Sequence, residues 1–107
     1  MAIVILPGAE DDLLELQDYM QSQWAPKLWL RAESEIFDKL EKADQGLIKG
    51  MPIRELTQLG VTDYKRILTS HHSIVFRQID GDIYVYLVAG QKQDFKRLLF
   101  RRLMSSN

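Results

Sequence analysis

The sequence predicts a small α+β domain: an N-terminal strand, an antiparallel two-helix hairpin, a mostly antiparallel sheet and a closing helix. Three observations lead there. Apolar residues recur at helical spacing through positions 9–43; the period falls to two across 64–89, in runs rich in β-branched and aromatic residues; and positions 95–103 return to helical spacing. At 107 residues and 46% hydrophobic composition one core can form without staples, so a single domain is expected over residues 1–107.

The first element is the apolar run "AIVIL", closed by the turn "PG". A helix follows from about Ala9 to Gln23, with Leu13, Leu16, Met20 and Trp24 on one stripe. Glu10, Asp11 and Asp12 suit its positive N-terminal end. Ala25-Pro26 breaks that helix and opens the next, because proline is tolerated in a first turn. Trp29, Ala32, Ile36, Leu40 and Ala43 form the second stripe, and Gly46, Gly50 and Pro52 mark its exit. With so short a link the two helices should pack antiparallel.

Beyond "KGMP", the segment "IREL" reads as a short strand and "TQLGVTD" as a loop. The segments "YKRIL", "SIVFRQI" and "IYVYLVA" are strands by composition. Asp80 and Gly81 suit the positive φ values of a type I′ hairpin turn. Counting outward from them sets Arg77 opposite Tyr84 and Val75 opposite Tyr86 on one face. Ile74, Phe76, Ile83, Val85, Leu87 and Ala89 fall on the other, which the helices should cover. The last helix carries Phe95, Leu98, Leu99 and Leu103 on its apolar side, with Asp94 as N-cap.

Charge is unevenly distributed: residues 1–63 hold 12 acids and 6 bases, residues 64–107 hold 3 acids and 8 bases, and the whole chain carries −1. A positive surface from the second half would suit nucleic acid or an acidic protein partner. There is no cysteine, so thiolate metal sites and disulfides are excluded, and two adjacent histidines cannot build a zinc site alone. No metal or cofactor is expected. The five-residue apolar run at the start lacks a basic region before it, and no segment reaches membrane-span length, so the expected location is cytoplasmic, without membrane contact.

The candidate functional residues cluster around "DYKRILTSHHSIVFR". Arg77 beside Tyr84 and Tyr86 suits stacking and phosphate contacts, although such cross-strand pairs also stabilise exposed sheets. His71 and His72 fall in a turn, where exposed histidines are ordinary and acid–base chemistry is conceivable. Lys65 and Arg66 point to opposite faces of their strand. Arg97 and Arg101 lie one turn apart on the last helix, where cations also favour the negative helix end.

Taken together, the helix "DDLLELQDYM", the approach G-x-P-x-R-E-L from Gly50 to Leu56, the hairpin "SIVFRQIDGDIYVYLVA" and the closing G-x-x-x-D-F from Gly90 to Phe95 resemble the RelE/ParE superfamily of bacterial toxins. The resemblance spans nearly the whole chain. It implies the toxin of a type II toxin-antitoxin system, held in a hetero-oligomer by a cognate antitoxin. One branch of the superfamily cuts mRNA on the ribosome, and the other poisons DNA gyrase without being a nuclease.

By position, Lys65 or Arg66 would match a basic residue of the nuclease branch on the first strand of the site, and Lys92 the basic residue after the last strand. There the match ends. Ser73 stands where that branch tends to place an arginine, and Phe95 or Leu98 near its expected tyrosine, leaving His71 or His72 and Arg77 as substitutes. The departure favours the ParE-like branch, with gyrase as target; an mRNA endonuclease and an inactive antitoxin-binding remnant are the alternatives. For the antitoxin, the exposed apolar and aromatic groups that the sequence leaves over are Tyr84, Tyr86 and Phe100, beside the cationic Arg97 and Arg101.

Overall fold

A computed structural model describes residues 2–23 and 26–104 of the chain. Strand β1 (Ile3–Ile5) leads into α1 (Pro7–Gln23), α2 (Pro26–Asp44), β2 (Met51–Pro52) and α3 (Arg54–Thr57), followed by β3 (Tyr64–Leu68), β4 (His72–Ile79), β5 (Asp82–Gly90) and α4 (Phe95–Met104). The five strands form one sheet in the order β1-β5-β4-β3-β2. All neighbours are antiparallel except β1, which returns parallel to β5 with Ile3 opposite Ile83. The two-helix hairpin follows β1 in the chain and packs across one face of this sheet.

The helices bury the stripes their spacing requires. The buried residues of α2 are Trp29, Ala32, Ile36, Leu40 and Ala43, and those of α1 are Ala9, Leu16 and Met20, with Leu13 half-buried against the same core. Trp24, on the α1 stripe by spacing, and Ala25 lie outside the described residues. Helix α2 ends in a Schellman arrangement: Leu47 N–H donates to the Lys42 carbonyl at 2.8 Å and Gly46 N–H to that of Ala43 at 3.1 Å, with Gly46 at φ 78°. Asp94 caps α4 through the Arg97 amide at 3.2 Å. The β4–β5 turn has φ 52° at Asp80 and 86° at Gly81, as a type I′ turn demands.

The sheet is covered on both faces, not only on the one that the sequence assigns to the helices. Ile67, Ile74, Phe76, Ile83, Val85 and Val88 pack under α1 and α2, whereas Val75 and Leu87 pack with Ile53 and Leu56 of the α3 turn and Leu99 of α4. A register shift between Val75 and Phe76 causes the exchange: Arg77 does pair with Tyr84 and Phe76 with Val85, but Val75 pairs with Leu87. Tyr86 is the extra residue of the bulge, so it does not face Val75, and Leu87 is turned to the second face while Val88 takes its place in the first.

The segment "IREL" is also corrected, from strand to helical turn. Ile53 and Leu56 are buried on one side, an i, i+3 pair that only a helical turn can bring together. Leu56 and Thr57 amides close that turn on the Ile53 carbonyl at 3.0 and 2.8 Å. Pairing of β2 with β3 is confined to Met51 and Pro52.

Candidate functional site

The basic residues of the central strands are held by their neighbours. Arg66 lies 3.8 Å above the Phe95 ring and donates to the Ser73 hydroxyl at 3.0 Å. Arg77 pairs with Asp63 at 3.2 Å and lies 5.1 and 5.5 Å from the Tyr64 and Tyr86 rings, which meet edge to face. Burial opposes the Arg77 charge, but the Asp63 hydrogen bond and the two tyrosines outweigh it and raise its pKa. Burial likewise pushes the Tyr64 phenol up, against the pull of Arg77. Arg66 and Arg77 share the α4 face of the sheet, while Lys65 sits on the hairpin face, pairs with Phe76 and donates to the Thr62 carbonyl at 3.2 Å.

The two histidines do not join them. His72 is the first residue of β4, not a turn residue, and is only 2% exposed; its ring stands edge-on to Trp29 at 6.2 Å on the hairpin face. Burial, with help from His71, lowers its pKa to about 4 against a weaker opposing pull from Glu35. The turn before it is clamped by Glu35, which accepts from the Ser70 amide at 2.9 Å and the Ser70 hydroxyl at 3.1 Å. Thr69 Oγ1 accepts from the His72 amide at 2.9 Å. The sequence signal for burial was there to be read: His72 shares its alternation with Ile74 and Phe76.

Lys92 lies past Gly90, which pairs with His72, whereas Arg77 pairs with Tyr84 at the other end of the hairpin. Five strand residues separate these levels, roughly 16 Å at about 3.3 Å per residue. Lys65, Arg66, His72, Arg77 and Lys92 are thus divided between two faces and two ends of the sheet.

Of the residues expected to meet a partner, Arg97 and Arg101 are exposed on α4. Tyr84, Tyr86 and Phe100 are half-buried, the last two in the cluster beneath α4, which corrects their reading as exposed leftovers. The α4 helix is pinned by a contact the sequence did not reveal. Arg102 donates to both Asp12 oxygens, at 3.0 and 2.7 Å, and to the Tyr86 carbonyl at 2.7 Å, while Asp12 also accepts from the Val88 amide at 3.0 Å. The Asp12 hydrogen bonds raise the Arg102 pKa despite partial burial. Ninety positions apart, these two residues gave no local sign of pairing.

Between α1 and the end of β5 runs a groove of about 730 Å³. Leu16, Met20, Val88 and Leu98 are among the apolar residues lining it, and Glu15, Tyr19, His71, His72 and Lys92 among the polar ones. Among the described residues no group of three or more His, Cys, Asp or Glu side chains is arranged to hold a metal ion. No helix there is long and apolar enough to cross a membrane.

A five-stranded sheet with a helical hairpin on one face and a short cationic C-terminal helix on the other defines a small α+β protein of the kind the RelE/ParE resemblance implied. Residues 3–95 match the model of the family described as the ParE toxin of the type II toxin-antitoxin system parDE, and the chain belongs to that family. It is a ParE-family toxin of a type II system. Among solved structures it is similar to a chain of the chromosomal ParDE TA system from P. aeruginosa, with TM-score 0.67, 18% identity and coverage of 84% of this chain and 95% of that one. No curated protein matches the sequence.

Proposed function

We propose that this toxin arrests bacterial growth by poisoning DNA gyrase, without cleaving RNA, and that a ParD-type antitoxin neutralises it in a cytoplasmic hetero-oligomer. The observation that carries the choice of target is the dispersal of the basic residues. In-line cleavage of a phosphodiester needs a base, an acid and cations converging within hydrogen-bond reach of one phosphate. Here Arg66 is engaged by Ser73 and Phe95, Arg77 by Asp63, His72 is buried on the opposite face, and Lys92 lies at the far end of the hairpin. Membership of the ParE family supports the same reading.

The test is induction without antitoxin while growth, message integrity at translated codons and plasmid supercoiling are followed in the same cells. The expected result is arrest with intact messages and gyrase-dependent DNA breaks or relaxation. Codon-linked cuts with normal supercoiling would overturn the proposal and return Lys65, Arg66, Arg77 and Lys92 to a catalytic role. Unimpaired growth from a folded protein would point to an antitoxin-binding remnant.

A further inference from the structure

We infer that the outer face of α2 is the contact of a two-fold symmetric dimer, in which the helix packs antiparallel against α2 of a second copy of the chain. Besides the stripe buried in the core, α2 carries a second one that faces solvent: Lys27, Leu30, Ser34, Phe37 and Glu41, all exposed. Their spacing of three, four, three and four residues is that of the seam between two packed helices, and it runs for roughly 21 Å at about 1.5 Å per residue. Leu30 is 59% and Phe37 38% exposed, so two large apolar groups at seam positions stand uncovered among the described residues.

Charge identifies the occupant. The seam is basic at its N-terminal end and acidic at its C-terminal end, with Ser34 midway between Lys27 and Glu41. A second α2 laid antiparallel about Ser34 sets Lys27 against Glu41 of the second copy and Leu30 against its Phe37, and the two-fold axis makes each contact twice. The small Ser34 side chain lets the two backbones approach where the helices cross. A shallow depression of about 470 Å³, bordered by Ser34, Phe37, Asp38 and Glu41, lies where Leu30 of the second copy arrives. A parallel arrangement would instead stack Lys27 on Lys27 and Glu41 on Glu41. In a lone helix these charges are unfavourably placed: the first turn of α2 holds no acid, Lys27 stands at the positive end, and Glu41 lies in the last turn at the negative end. Among the described residues neither Lys27 nor Glu41 forms a salt bridge. An antiparallel neighbour supplies the missing counter-charge at both ends.

A seam of five positions makes a small interface, so the dimer should form at micromolar rather than nanomolar concentrations. The experiment is analytical sedimentation of the full-length toxin, separated from its co-expressed antitoxin and refolded. It compares wild type, Lys27→Glu, Glu41→Lys, the double variant carrying both, and Leu30→Ser with Phe37→Ser. Thermal melting of each reports folding, which changes at these exposed positions should leave intact. Wild type should pass from monomer to dimer as its concentration rises. Each single charge variant should raise the dissociation constant at least about tenfold, and the double variant should return it to within about threefold of wild type, because the exchanged charges again meet across the axis. Leu30→Ser with Phe37→Ser should abolish the dimer. A wild type that stays monomeric throughout the micromolar range overturns the inference, as does a dimer indifferent to these substitutions or a double variant that does not recover. A monomeric wild type whose toxicity disappears with Leu30→Ser and Phe37→Ser would also overturn it, and would give this face to the cellular target.

Discussion

Replacing Asp12 by alanine should release α4 from the rest of the molecule. The Asp12 carboxylate accepts three hydrogen bonds, two from Arg102 and one from the Val88 amide. The ion pair is neither exposed nor fully buried, with side chains 13% exposed at Asp12 and 26% at Arg102. Breaking a fully buried pair by removing one partner costs about 3–5 kcal/mol, and an exposed pair is worth less than about 1. The intermediate burial, the bidentate geometry and the stranded Val88 amide place Asp12→Ala at about 2–3 kcal/mol. For a domain of this size that lowers Tm by about 8–12 °C. Arg102→Met keeps the apolar stem but removes the fork, and a double-mutant cycle between the two should return a coupling of about 1.5–2 kcal/mol. Hydrogen exchange should rise in α4 far more than in α2, whose contacts are untouched. A fall in Tm below about 2 °C, or additive single effects, would refute the claim that this pair holds the helix.

Gly8→Ala should act on the same lock, because its Cβ would lie 2.8 Å from Arg102 Nη1, and its cost should shrink in the Asp12→Ala background. His72 makes stability depend on pH. The unfolded chain takes up this proton near 6.5 but the fold only near 4, so between those values the unfolded state binds more protons and stability falls as pH is lowered. The full effect is on the order of 3 kcal/mol, and His72→Gln should flatten the melting profile across that window; an unchanged slope would assign the acid sensitivity elsewhere. Gly50→Ala should destabilise by about 2 kcal/mol or more, because at φ 75° its Cβ would also come within 3.0 Å of Lys65 Cβ and Phe76 Cε1. Gly46→Ala, at φ 78° with nothing within 4 Å of the added atom, should lose only the φ term of about 1 kcal/mol, as chemical denaturation can measure. Finally, Arg97→Glu with Arg101→Glu should slow association with the antitoxin while leaving its dissociation rate nearly unchanged, read by stopped-flow at two salt concentrations.

Much of the architecture is a property of the sequence taken locally. The stripe from Trp29 to Ala43, the proline that opens α2, the Asp94 cap and the Asp80-Gly81 turn each follow from neighbours within one or two turns of chain, where backbone sterics and periodic burial act. Family membership was legible for the same reason, since it rests on the order of such segments. What only the tertiary structure decided is the identity of the partners. A single bulge at Tyr86 transfers Leu87 from one face to the other, because side-chain direction alternates with every residue and one extra residue inverts the facing of those that follow. Ile53 and Leu56 leave the strand pattern because both are buried in one cluster with Val75, Leu87 and Leu99, which the i, i+3 spacing of a helical turn allows. The Asp12–Arg102 lock and the groove beside Tyr19 join segments some 70 to 90 positions apart, and no local periodicity encodes a contact across that distance. The sequence therefore settled which elements form and to which family they belong, while packing settled which charges are engaged and which surface is left open to a partner.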